Sequence, residues 1–160
     1  MEEFTLLTPK CTLVPAHFYN PASSRASLGE VVVLDDADVV RVAEVPQYDA
    51  VLLYAVPSED CALLPELWYI LRDLPQIREY NRILASWKEG RLYLGIAQGG
   101  ALLLANSYEA PDFTTAQYYI FLALKSLQLN PEVSTIHFRH AIGAEDEMSL
   151  YRYFKSVEIL

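Results

Sequence analysis

The chain has 160 residues, 52% of them hydrophobic, and its 21 acidic against 12 basic side chains give a formal net charge of −9. That is apolar material enough for one sizeable core, and a charge that repels phosphate backbones, which excludes nucleic acid as the expected partner. The longest apolar runs, such as Val51 to Val56, fall far short of the roughly 20 residues that cross a bilayer, so no membrane span is expected. Glu2 and Glu3 stand where a secretory leader carries positive charge. Cys11 and Cys61 form neither a disulfide framework nor a paired-thiolate zinc pattern. A cytoplasmic chain with reduced cysteines is the expectation.

In chain order, Phe4 to Val14 is β-rich and broken by Pro9, which predicts a short hairpin or two edge strands. Pro15 to Leu28 reads as a short helix interrupted near Pro21. Val31–Leu34 and Val39–Val42 flank the acidic turn Asp35-Asp36-Ala37-Asp38, a hairpin pattern. That turn lacks the glycine and terminal glutamate of a calcium loop. Asp49 to Val56 is almost unbroken in its apolar character, as in a central strand covered on both faces of a parallel sheet. Ser58, Glu59 and Asp60 then offer a cap and first-turn charge for a helix carrying Leu63, Leu64, Leu67, Ile70, Leu71 and Leu74, stopped by Pro75. Strand and helix together predict the opening of a βαβ unit.

From Ile83 to Tyr108 three antiparallel strands are expected, joined at Lys88-Glu89-Gly90 and at Gly99-Gly100. Asp112 or Thr114 can cap a helix whose apolar face holds Tyr118, Phe121, Leu122, Leu124 and Leu127, ending near Asn130-Pro131. A strand at Thr135–Phe138, a helix at Glu145–Phe154 and a strand at Val157–Leu160 complete a βββαβαβ order.

That order resembles the ribonuclease H-like unit, which occurs twice in actin and hexokinase. The segment Tyr48 to Trp68, with its strand running into Ala55-Val56-Pro57, resembles the close of the first lobe in actin-like cell-division and pilus-assembly proteins. Leu104-Ala105-Asn106-Ser107-Tyr108, the pair Tyr118-Tyr119 and Leu129-Asn130-Pro131-Glu132 are similar to motifs of an uncharacterised bacterial family, a domain of unknown function with an actin-like ATPase fold. The resemblance implies an α/β fold in which residues 1–82 form a partial first lobe and 83–160 a second, ribonuclease H-like lobe. Members of that family run longer at the N-terminus, which implies either a fragment or a naturally short form whose first lobe is without its opening hairpin.

The same resemblance implies where nucleotide chemistry would sit: an aspartate at the end of the first strand of each lobe to hold hydrated magnesium, followed by a glycine turn. In the second lobe the matching stretches, Ile83-Leu84-Ala85-Ser86-Trp87 or Tyr93-Leu94-Gly95-Ile96, offer no carboxylate. Gly99 and Gly100 can cradle a phosphate, although a hairpin turn explains them with no ligand. Where the family pattern pairs glycines near the adenosine, only Gly143 is found after Arg139-His140-Ala141-Ile142; Arg139 is a further phosphate candidate. His137 and His140, three apart, do not suit one metal, and no metal or catalytic residue is expected. His17 has no nucleophile motif beside it.

Eleven tyrosines raise a protein-binding reading, with Tyr118, Tyr119, Tyr151 and Tyr153 as candidates on two helices. Adjacent helical residues project about 100° apart, so one of Tyr118 and Tyr119 can enter the core while the other stays accessible. The leading expectation is a non-catalytic assembly or scaffold protein without a cofactor. The alternative is an ATP- and magnesium-binding protein whose site is completed by a further segment or second subunit. A third is a homodimer built through an exposed strand edge.

Overall fold

A computed structural model describes residues 4–160 and places eight strands in two sheets. The first sheet contains β1 (Cys11–Pro15), β2 (Val39–Val45) and β3 (Ala50–Val56) in the order β1-β3-β2, all neighbours antiparallel. Every residue of β3 is buried. Its central place is as its composition predicts, but its neighbours are antiparallel. An all-apolar strand reports cover on both faces and does not report the direction of its neighbours. One face packs on Leu28 of α1 (Ser24–Gly29); the other turns Ala50 and Leu52 toward α2 (Glu66–Asp73).

Further expectations for the first half are corrected. Between Phe4 and Val14 a single strand forms, and Leu6 docks beside the start of α2, its N–H on the Leu64 carbonyl at 2.8 Å and its carbonyl on the Glu66 N–H at 3.0 Å. Val31–Leu34 is not a strand, and Val33 is 87% exposed. The acidic turn is tied by cations instead of closing a hairpin. Lys10 Nζ lies 2.6 Å from Asp38 and 3.3 Å from Asp35, while Arg25 donates to both their carbonyls.

α2 begins at Glu66, well after Ser58, because Pro65 bars the preceding Leu64 from helical backbone yet is itself tolerated at a helix start. The carbonyls of Glu59 and Cys61 take the Arg41 guanidinium. Nor do β3 and α2 open a βαβ unit, since the next strand belongs to the other sheet.

That second sheet has the order β6-β5-β4-β7-β8. Strands β4 (Asn81–Lys88), β5 (Arg91–Gln98) and β6 (Ala101–Glu109) form the expected antiparallel meander, and β7 (Thr135–Phe138) and β8 (Ser156–Ile159) run parallel to β4. With α3 (Phe113–Ser126) and α4 (Ala144–Tyr151) the βββαβαβ order is complete. The first hairpin turns through Glu89 at φ 48° and Gly90 at φ 75°, the left-handed pair a tight turn needs. Asp112, not Thr114, caps α3: its Oδ1 accepts from Thr115 N at 2.7 Å. The buried stripe of α3 is Phe113, Ala116, Ile120, Ala123 and Leu124, so Tyr118 and Leu122, expected on the inner face, lie outside it.

α2 lies between the sheets. Its Leu67, Ile70, Leu71 and Leu74 share one core with Val45 and Leu52 of the first sheet and with Leu84, Tyr93 and Ala97 of the second. The approach to β5 is close enough that a Cβ on Gly95 would stand 2.6 Å from Ile70 Cγ2.

Candidate functional site

Glu66 and Asp73 are seven residues apart on α2, two turns along one helical stripe, and both are buried. Facing them is the C-terminal edge of the second sheet. Parallel pairing sets Ala85 opposite Phe138, so Arg139 emerges beside Ser86 and its N–H bonds the Ala85 carbonyl at 3.0 Å. The side chains converge on Glu66. Its Oε1 accepts from Ser86 Oγ at 2.6 Å and Arg139 Nε at 2.9 Å, and His140 Nε2 lies 3.0 Å away; Oε2 accepts from Thr5 Oγ1 at 2.6 Å. Arg139 Nη1 meets Asp73 Oδ2 at 2.5 Å, and Arg72 Nε holds the other oxygen of Asp73 at 2.7 Å. Both guanidinium groups lie over Tyr69, at 5.1 and 4.8 Å from the ring centre.

Burial alone would push the Glu66 carboxyl up. The hydrogen bonds from Arg139, Ser86 and Thr5 and the Arg139 charge outweigh it and hold the group below the ordinary value of 4.5. An ionised carboxylate with this many donors is not available as a general base, and Ser86 is fully buried. The arrangement fastens α2 to the strand ends of the second sheet.

The nucleotide candidates named from the sequence are not brought together. Arg139 is in the cluster just described. Gly99 and Gly100 form the β5–β6 turn, where Gly99 has φ 54° and donates to the Tyr80 carbonyl at 3.0 Å, beside the start of β4. Arg139, just past β7, stands beside Ala85, five residues further along β4 than Tyr80 and so roughly 16 Å away at the usual strand rise. Gly143 is the residue before α4, with only Asp146 Oδ2 near the place of a Cβ, at 3.6 Å. Among the described residues no three His, Cys, Asp or Glu side chains are grouped to hold a metal ion. His137 and His140 part company: His137 Nε2 faces Glu158 at 3.3 Å, and His140 joins Glu66.

The four tyrosines lie on α3, α4 and the segment after α4. Tyr118 is 60% exposed, whereas Tyr119 is half-buried and stacked on Tyr108 at 4.7 Å. Tyr153 is exposed and packs edge-on against Phe121 at 4.9 Å, linking the two helical segments. Tyr151 donates to the Val157 carbonyl on β8 at 3.1 Å, away from that contact.

Glu66, Asp73 and Ser86 were missed in the sequence. A signal was present: two carboxylates at core spacing within the Leu67–Ile70–Leu71–Leu74 stripe demand buried partners.

Comparison with solved structures finds a Bacteroides thetaiotaomicron protein described as having an actin-like ATPase fold and unknown function. The TM-score is 0.79 at 15% identity, over 96% of this chain and 66% of that one. At that identity the likeness establishes the fold: the chain has an actin-like ATPase α/β fold and spans 66% of that protein's length. No curated protein matches. No helix among the described residues is long and apolar enough to cross a membrane. The family model described as "Protein of unknown function (DUF3822)" matches residues 5–157, and the chain belongs to that family.

Proposed function

We propose that the protein is a non-catalytic assembly or scaffold component that uses the actin-like fold to hold a protein partner. The observation that carries this reading is the closed edge of the second sheet. In one of the two stretches that the resemblance matches to the magnesium aspartate, this chain has Ser86 bonded to Glu66, and where the family pairs its adenosine glycines it has Arg139, bonded to Glu66 and Asp73. Exposed aromatic and apolar groups on α3 and after α4, Tyr118, Leu122 and Tyr153, support a protein-binding role. The net charge of −9 supports a cytoplasmic protein without nucleic-acid partners.

The test is isothermal titration of the chain with ATP and magnesium. No saturable heat is expected. Saturable heat that disappears in Arg139→Ala would overturn the reading in favour of an ATP-binding protein, because it would require the Arg139–Glu66 pair to open for phosphate.

A further inference from the structure

Among the described residues, two strand edges without a partner strand line one cleft. β1 borders the first sheet and β6 the second, and between them lies a space of about 500 Å³ lined by Cys11 to Leu13, Val31 and Val32 on one side and Arg91, Ala105 and Ser107 on the other. Its size is that of a ligand site.

The pairing pattern shows which backbone groups meet this space. Ala55 N bonds the Lys10 carbonyl at 3.0 Å and Ala16 N the Asp49 carbonyl at 2.9 Å. Antiparallel pairs alternate, so Thr12 and Val14 bond to β3 while Cys11 and Leu13 turn their N–H and C=O to the open edge. On β6, Ala110 N bonds the Gly90 carbonyl at 2.8 Å, which by the same alternation turns Ala105 and Ser107 outward. Two of these outward N–H groups are already taken, that of Cys11 by the Pro9 carbonyl and that of Ser107 by Asn106 Oδ1. Those of Leu13 and Ala105 have no acceptor among the described residues and face a new strand.

Arg91 supplies the charge. It stands on the same face of the meander as Tyr93, its Nη1 lies 3.4 Å from Ser107 Oγ, and it makes no ion pair among the described residues. An Arg fork with donors to spare beside open strand edges fits a carboxylate on an extended chain.

We propose that the cleft between β1 and β6 receives an extended segment of a partner protein, which hydrogen-bonds to these edges as an added strand and sets an acidic side chain against Arg91. Leu13, Val31 and Val32 then meet alternate side chains of the segment. The inference rests on the protein-binding reading and names the surface and partner chemistry for it.

The experiment pans a displayed library of random heptapeptides on the full chain, then measures the selected peptides in solution by fluorescence polarisation. Selected sequences are expected to alternate β-branched and polar residues around one Asp or Glu. Arg91→Ala is expected to weaken them roughly tenfold or more, the scale of one charge-assisted pair, with an unchanged circular-dichroism melt. Ala105→Pro removes one outward N–H without touching the β5 ladder and is expected to weaken them as well. Arg91→Glu should bind the peptide whose acid is replaced by lysine. An unenriched library, or selected peptides indifferent to both Arg91→Ala and Ala105→Pro, overturns the proposal. Such a failure with a silent ATP titration leaves the protein-binding reading in place; saturable ATP heat removes that reading itself.

Discussion

Truncating Glu66 leaves Arg139 short of a carboxylate at 2.9 Å in a place with almost no water. Breaking a buried pair from one side costs about 3–5 kcal/mol when the charge left behind is unpaired; Arg139 still holds Asp73 at 2.5 Å, which puts the loss at the low end of that range. Glu66→Ala is therefore expected to lower the urea-unfolding free energy by that amount, and Glu66→Gln by less, because the amide oxygen in the Oε1 place still accepts from Ser86 and Arg139 while the amide NH2 donates to the Thr5 hydroxyl. The same carboxylate gives stability a pH dependence of known sign. Its folded value is depressed below 4.5, so its contribution is complete above that pH and is lost as pH falls through the folded value. Stability measured between neutral pH and about 3 should fall less steeply in Glu66→Gln than in the parent; equal slopes would show that the carboxyl titrates alike in the folded and unfolded chain, so that the cluster does not favour its ionised form. From the sequence, Arg139 and His140 stood out as basic groups after a strand and invited phosphate and metal. Their partner lies 73 and 74 residues earlier in the chain, and only the packing of α2 against the β4 and β7 ends makes them neighbours.

At the scale of elements, Gly95 shows how α2 and β5 fit. Adding a methyl group there drives a Cβ to 2.6 Å from Ile70 Cγ2 and 3.4 Å from a Leu74 methyl, and overpacking of this kind costs about 1–3 kcal/mol. Gly95→Ala should be destabilised on that scale. Ile70→Leu, which takes the branching methyl away from that spot, should restore part of the loss, so that a double-mutant cycle gives a favourable coupling; simple additivity would mean that the contact is not the cause. The second half of the chain was legible element by element, since its hairpin turns carry glycine, the cap of α3 is an aspartate and the meander strands run eight or nine residues. The first half was not. Val31–Leu34 has the composition of a strand but no neighbour to pair with, and a side-chain pattern does not state pairing. The Leu63–Leu64 start of the apparent helix was overridden by Pro65, a local rule that outranks periodicity.

For the whole molecule, one core joins Leu52 of the first sheet, α2 and Tyr93 of the second, so the sheets should unfold together. Trp68 reports on α2 and Trp87 on β4. In single-tryptophan variants their fluorescence transitions in urea are expected to coincide; two separate midpoints would show independent units. The fold as a whole was legible because order and spacing of elements survive where single contacts cannot be read. A helix shared by two sheets also has a consequence for synthesis on the ribosome. α2 emerges with Leu67, Ile70, Leu71 and Leu74 bare on the side that β4 and β5 will cover, and at roughly 5–20 residues per second the stretch from Leu74 to Gln98 takes a few seconds to follow. For that interval the nascent chain displays a leucine-rich stripe to the cell, and its yield depends on what meets that stripe first, the arriving hairpin or a chaperone.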